Sequence, residues 1–188
     1  MVYLCEESVE KRDYSGEDLK NSHFEDVVFK RCTFNKSVLD KVRFENVTFD
    51  QCLISECSFV GAHLDHLFFR ECKLTALSFI DVNPRFITLS FKDSKLSFCN
   101  FSGLKLKGAE FSSSKLMGVD FVETDLSQVN FKGSEFSDCR IHQANAQGAD
   151  FREARGFFID PQTSNIAKAK FSVEGAMGLL SVFDILIE

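Results

Sequence analysis

No stretch of the 188 residues approaches the roughly eighteen consecutive apolar residues that a membrane-spanning helix requires. Residues 1–12 hold five charged residues and lack the apolar centre of a secretory leader. The seven cysteines include no Cys-x-x-Cys pair and have no neighbouring histidine cluster, which argues against zinc and thiol-redox chemistry. His23, His63, His66 and His142 are scattered, without the thiol or carboxylate spacing of a metal site. No Ser-His-Asp set, phosphate-binding loop or paired-carboxylate pocket is present, so no enzymatic activity, catalytic residue, cofactor or metal is expected. A basic stripe is also missing and the net charge is −6, so neither direct nucleic-acid binding nor a membrane partner is expected. Reduced thiols and the missing leader together imply a cytoplasmic protein.

What the chain has in abundance is phenylalanine, 22 residues of it, set on a strict period. Every fifth residue from Leu19 through Phe24, Phe29 and Phe34 to Phe79 is Leu, Ile or Phe. A second run, two residues out of phase, continues from Phe86 through Phe91, Leu96 and Phe101 to Phe151, with Ala146 the one small member. An α-helix advances about 100° per residue, so positions five apart wander around its axis. In a flat strand an odd spacing puts successive side chains on opposite faces. The period is satisfied if the chain turns a corner once per repeat, so that every new face points its central residue inward. Four faces close a square coil, and coils stack about 4.8 Å apart. The 27 centres then make a little under seven turns, a rod roughly 32 Å long.

The position two residues before each centre is mostly small: Ser22, Val27, Cys32, Ser37, Cys52, Cys57, Cys72, Cys99, Ala109, Ser114, Cys139. A narrow interior filled by one large side chain per face leaves room for only a small second one. Six of the cysteines fall in this register, with Cys5 outside it, so they are expected as buried packing residues. Phe side chains twenty residues apart should stack in two ladders, Phe29-Phe49-Phe69 and Phe91-Phe111-Phe131-Phe151.

With this alternation the chain resembles the pentapeptide-repeat family, whose consensus runs Ala-(Asp/Asn)-(Leu/Phe)-x-x. Gly108-Ala109-Glu110-Phe111, Val129-Asn130-Phe131-Lys132 and Gly148-Ala149-Asp150-Phe151-Arg152 carry the match locally. The resemblance implies an all-β solenoid, a right-handed quadrilateral β-helix. Its expected divisions are an amino-terminal cap over 1–14, repeats over 15–171 and a carboxy-terminal helix and tail over 172–188. Ser172 reads as the N-cap of a helix from Val173 to Phe183. Apolar surface left on that helix and on the tail Asp184-Ile185-Leu186-Ile187 would close a two-fold homodimer through Leu179, Leu180, Phe183 and Ile185; a simple cap of one monomer is the other reading. The phase break lies over 80–86, where Pro84 cannot donate a ladder hydrogen bond, and either a tolerated bulge or a kink used by a partner fits there.

Glu25, Glu45 and Asp65 occupy one outward position on successive coils, with Asp26 beside them. Stacked like charges cost stability, so this column is the candidate partner-binding surface. The segment Glu10-Lys11-Arg12-Asp13-Tyr14-Ser15-Gly16-Glu17 resembles quinolone-resistance pentapeptide proteins, and the carboxy-terminal Ala169-Lys170-Phe171-Ser172 with Leu179-Leu180 resembles the albicidin-resistance type. These resemblances imply a non-enzymatic, DNA-mimic-like rod that binds a type II topoisomerase, DNA gyrase or topoisomerase IV, and protects it from a poison. A scaffold or regulatory module without a topoisomerase role is the alternative.

Overall fold

The fold follows from the corner that ends each repeat. Two residues after each regular centre the backbone turns left-handed: Asp26 (φ 53°), Arg31 (54°), Lys36 (55°) and Lys41 (53°) show it on four successive faces. Centre, two outward flanking residues, small inward residue and left-handed corner make up one side of a square. The computed structural model describes residues 1–85, 87–183 and 185. It is a parallel β-solenoid of about eight turns, a right-handed quadrilateral β-helix ending in one short helix.

The strands are short. In the first half they are β1 (Tyr3–Cys5), β2 (Ser8–Glu10), β3 (His23–Glu25), β4 (Val28–Lys30) and β5 (Thr33–Asn35). They continue with β6 (Arg43–Asp50), β7 (Leu53–Ser55), β8 (His63–Arg70) and β9 (Lys73–Thr75). Beyond the break lie β10 (Ile87–Lys92), β11 (Lys95–Ser97), β12 (Lys115–Met117), β13 (Glu135–Ser137), β14 (Asp150–Phe151) and β15 (Lys170–Phe171). All pairing among them is parallel, between residues about twenty apart: Phe24 opposite Phe44, Phe44 opposite Leu64, Phe34 opposite Ile54.

The coil begins earlier than a cap over 1–14 would allow. Strand β1 pairs in register with β3, β2 pairs with β4, and Asp13 bridges to Thr33. Leu4, Val9 and Tyr14 thereby act as repeat centres, and Tyr14 stacks on Phe34 at 4.6 Å. These apolar residues keep the five-residue spacing, and the first full coil offers them an open ladder of backbone groups. That early start accounts for part of the difference between eight turns and the expected seven.

The second face carries one continuous column of rings. Phe29, Phe49 and Phe69 stack at 5.1 and 5.2 Å. Across the phase break Phe69 meets Phe91 at 4.9 Å and 1° between planes, so the two expected ladders are one. The column continues through Phe111, Phe131 and Phe151 to Phe171. Phe79, Phe101 and Phe121 stack on the fourth face and meet the second-face rings edge to face, as Phe101 does Phe111 at 87°. The break is an insertion between Asn83, whose amide still donates to Ala62 O in the ordinary register, and Ile87, which pairs with Leu64. A bulge before Leu89, which pairs with Leu67, takes back one residue and leaves a net offset of 22. Phe86, the expected first centre of the second run, lies outside the described residues.

The inward cysteines are free thiols that replace part of the backbone ladder. The Cys32 amide donates to Cys52 Sγ at 3.3 Å and the Cys52 amide to Cys72 Sγ at 3.4 Å. Cys72 then donates to Ser94 Oγ at 3.1 Å and Ser94 to Ser114 Oγ at 3.0 Å. Cysteine and serine are interchangeable here because each both accepts one amide and donates to a carbonyl, as Cys52 does to Phe29 O and Ser114 to Phe91 O. Burial pushes the Cys99 thiol up to about 11. It raises Cys57 and Cys139 in the same direction, away from the thiolate that reactivity needs.

The repeat fails after Phe151, where Gly156 stands at the next centre position. Phe157 fills the space instead, 5.0 Å from the Phe151 ring and 6.1 Å from Phe136. Helix α1 (Val173–Leu179) follows, with the Ser172 hydroxyl accepting from the Gly175 amide at 3.3 Å, and a 3₁₀ turn over Leu180–Val182 ends it. The helix is shorter than Val173 to Phe183: Gly175 and Gly178 weaken it, and the Leu180 amide is shared between the Gly178 and Met177 carbonyls.

Candidate functional site

The first face sets out the acidic column. Its outward position after the centre holds Cys5, Glu25, Glu45 and Asp65 on four consecutive coils, in strict register. Asp26 lies at the adjoining left-handed corner. The position before the centre holds Tyr3, His23, Arg43 and His63 on the same coils. Two parallel rows thus face solvent, one acidic and one largely basic or aromatic.

The rows partly neutralise each other. Glu45 Oε1 lies 3.7 Å from Arg43 Nε, and Oε2 lies 3.5 Å from His23 Nε2. Asp65 is held by His66 Nδ1 at 2.7 Å, and Asp26 accepts a short hydrogen bond from Asn46 Nδ2. Tyr3 OH donates to Glu25 Oε2 at 3.3 Å. Its phenol is pushed up to about 12 by hydrogen bonding and charge from Cys5, with desolvation and Glu25 adding to the shift. The column is therefore real as a register, and Arg43 offsets part of its charge.

A second column was hidden in the sequence. On the third face Lys73 pairs with Lys95 and Lys95 with Lys115, in line with Leu53 before them and Glu135 after them. Lys115 Nζ reaches Glu135 at 2.8 Å and holds that carboxyl below its usual range. Lys95, Ser97, Lys115, Met117, Glu135 and Ser137 line a shallow depression of about 380 Å³. Lys73 and Lys95 are separated by 22 residues, because the break falls between them. A search at a spacing of twenty misses the match.

The carboxy-terminal residues expected at a dimer interface divide into two groups. Leu179 packs against the core, whereas Leu180, Phe183 and Ile185 remain 38%, 43% and 54% exposed. Val173 and Met177 add to the same uncovered apolar surface. Asp184, Leu186 and Ile187 of the tail lie outside the described residues.

The sequence profile of the pentapeptide repeat region matches residues 22–90, and that of pentapeptide repeats in eight copies matches residues 94–133. Together they span more than half of the chain, on the faces just described. The chain belongs to the pentapeptide-repeat family. Among solved structures, this pentapeptide-repeat protein is similar to a trypsin-treated variant of QnrB1, a plasmid-mediated fluoroquinolone resistance protein. The TM-score is 0.76 at 19% identity, with 100% of this chain and 98% of that chain covered. Full-length QnrB1 superposes at a TM-score of 0.60 and 18% identity over 95% of this chain and 100% of that chain. At such identities the likeness concerns the fold. No curated protein sequence matches this pentapeptide-repeat protein. Among its described residues no helix is long and apolar enough to cross a membrane.

Proposed function

We propose that this protein is a non-enzymatic rod that binds a type II topoisomerase, DNA gyrase or topoisomerase IV, and protects it from a poison. The reading is carried by end-to-end similarity to a fluoroquinolone resistance protein, with both chains covered almost completely. The Glu25, Glu45 and Asp65 column, with Asp26 at its edge, supplies a regularly spaced anionic strip for a partner that normally grips DNA. A cytoplasmic homodimer joined through Leu180, Phe183 and Ile185, with Leu179 anchoring the helix to the core, would double the length of that strip.

A supercoiling assay with purified gyrase tests this, with and without ciprofloxacin, albicidin or microcin. Rescue of supercoiling at micromolar protein is expected. Replacing Glu25, Glu45 and Asp65 together by Lys should abolish rescue while the circular dichroism spectrum stays unchanged. Neither rescue nor inhibition by the unaltered protein removes the topoisomerase reading. A second reading, an interaction module for another partner, is favoured by one observation: Arg43, His23 and His66 already pair with much of the acidic column.

A further inference from the structure

Three potential metal ligands converge on the first face, from two neighbouring strands, and a fourth, Cys5, stands beside one of them on the next strand. One donor atom each from His23, Glu25 and Glu45 lies within 4.8 Å of the other two. His23 Nε2 is itself shielded from solvent and has no hydrogen-bond partner among the described residues, although it points at Glu45 Oε2 from 3.5 Å. Glu25 Oε2 faces Cys5 Sγ at 4.0 Å. Two carboxylates and an imidazole nitrogen thus border one small space, with a thiol adjoining it on the Glu25 side. Without a cation, two acids one coil apart repel each other and a buried ring nitrogen is left unsatisfied.

We propose that Cys5, His23, Glu25 and Glu45 form a structural zinc site. Ligands about 2.0–2.3 Å from a tetrahedral ion are separated by roughly 3.3–3.7 Å, so small side-chain rotations close the gaps among His23, Glu25 and Glu45, and a change of the Cys5 rotamer would complete the set. The imidazole and thiolate donors select a borderline-soft ion such as zinc over calcium or magnesium, which take oxygen ligands. The surroundings already hold the ligands. Tyr3 packs its ring 5.3 Å from that of His23, and Arg43 Nε takes the Glu45 oxygen directed away from His23. On binding, the Cys5 thiol passes its proton to solvent and its sulfur lone pair to the metal. The site would tie β1 to β3 and β6, fastening three neighbouring coils together.

Titration of the metal-free full-length protein with zinc, followed by calorimetry, is the test. One ion per chain at micromolar affinity or tighter is expected, with a rise in melting temperature. Cobalt in place of zinc should give the intense visible bands of a tetrahedral site and a near-ultraviolet thiolate band. The substitution His23→Ala should weaken binding at least tenfold, and Cys5→Ser should remove the thiolate band, both without change in circular dichroism. Three results would each overturn the site: no binding to the folded chain, binding unchanged in both variants, or a cobalt spectrum without the thiolate band.

Discussion

At the residue scale the corner position is the most demanding in the chain. It adopts left-handed backbone whether it is Gly61, Asn46, Lys36 or Phe98. A non-glycine residue there costs about 1–2 kcal/mol, a penalty met by the inward packing of the centre on either side. Gly156 is different because space, not only φ, excludes a side chain. A Cβ there would lie 2.1 Å from the Phe136 carbonyl oxygen, whereas one on Gly103 would meet nothing within 4 Å. Both have positive φ, 73° and 72°. Gly103→Ala is therefore expected to lower stability by about 1 kcal/mol or less, and Gly156→Ala by about 3 kcal/mol. Urea midpoints for the two variants, measured with unchanged slopes, check the difference. The centres were legible in the sequence because burial selects Leu, Ile and Phe. The corner geometry was not, because Lys, Glu, Arg and Gln occupy it as well as Gly.

Whole columns form at the scale of the strand ladder, and a local slip in numbering alters what can be read of them. The register of Glu25, Glu45 and Asp65 was legible because twenty residues separate each from the next. Lys73, Lys95 and Lys115 were not seen as a set, since the irregularity between Asn83 and Leu89 adds a net two residues to one interval. The same irregularity was foreseeable from Pro84, which cannot join a ladder. The cluster of His23 with Glu25 and Glu45 was missed for another reason: His23 precedes its centre whereas the acids follow theirs, so the histidine shares no twenty-residue offset with them. Stacked lysines repel at strand spacing, and Lys95 has a like charge on either side. Lys95→Gln should raise stability by roughly 0.2–1 kcal/mol at low ionic strength. The gain should vanish at high salt, where exposed charges are screened. Thermal melts at two salt concentrations measure this; a gain that persists at high salt would assign the effect to propensity instead.

The molecule as a whole is a rod with unequal ends. Its amino end starts directly with coil, while its carboxy end carries Phe157, Phe171 and a helix whose outer side stays apolar. If that side joins two chains, sedimentation should show a dimer at micromolar concentration that dissociates on dilution. Phe183→Glu together with Leu180→Glu should give a monomer with the same circular dichroism. A monomer in the unaltered protein at that concentration would leave the helix as a cap alone. The dimension of the rod was legible only approximately, because Leu4, Val9 and Tyr14 continue the period below the point where charged residues mask it.

The ring column that passes through the bulge has a mechanical consequence. Phe69 and Phe91 meet face to face at 1°, and Phe79 and Phe101 at 5°, so the inserted residues alter only the outer wall. Load applied along the axis meets the same stacked interior above and below the insertion, with no hinge between them. The protein should behave as a stiff spacer, holding whatever is bound at its two extremities at one fixed distance.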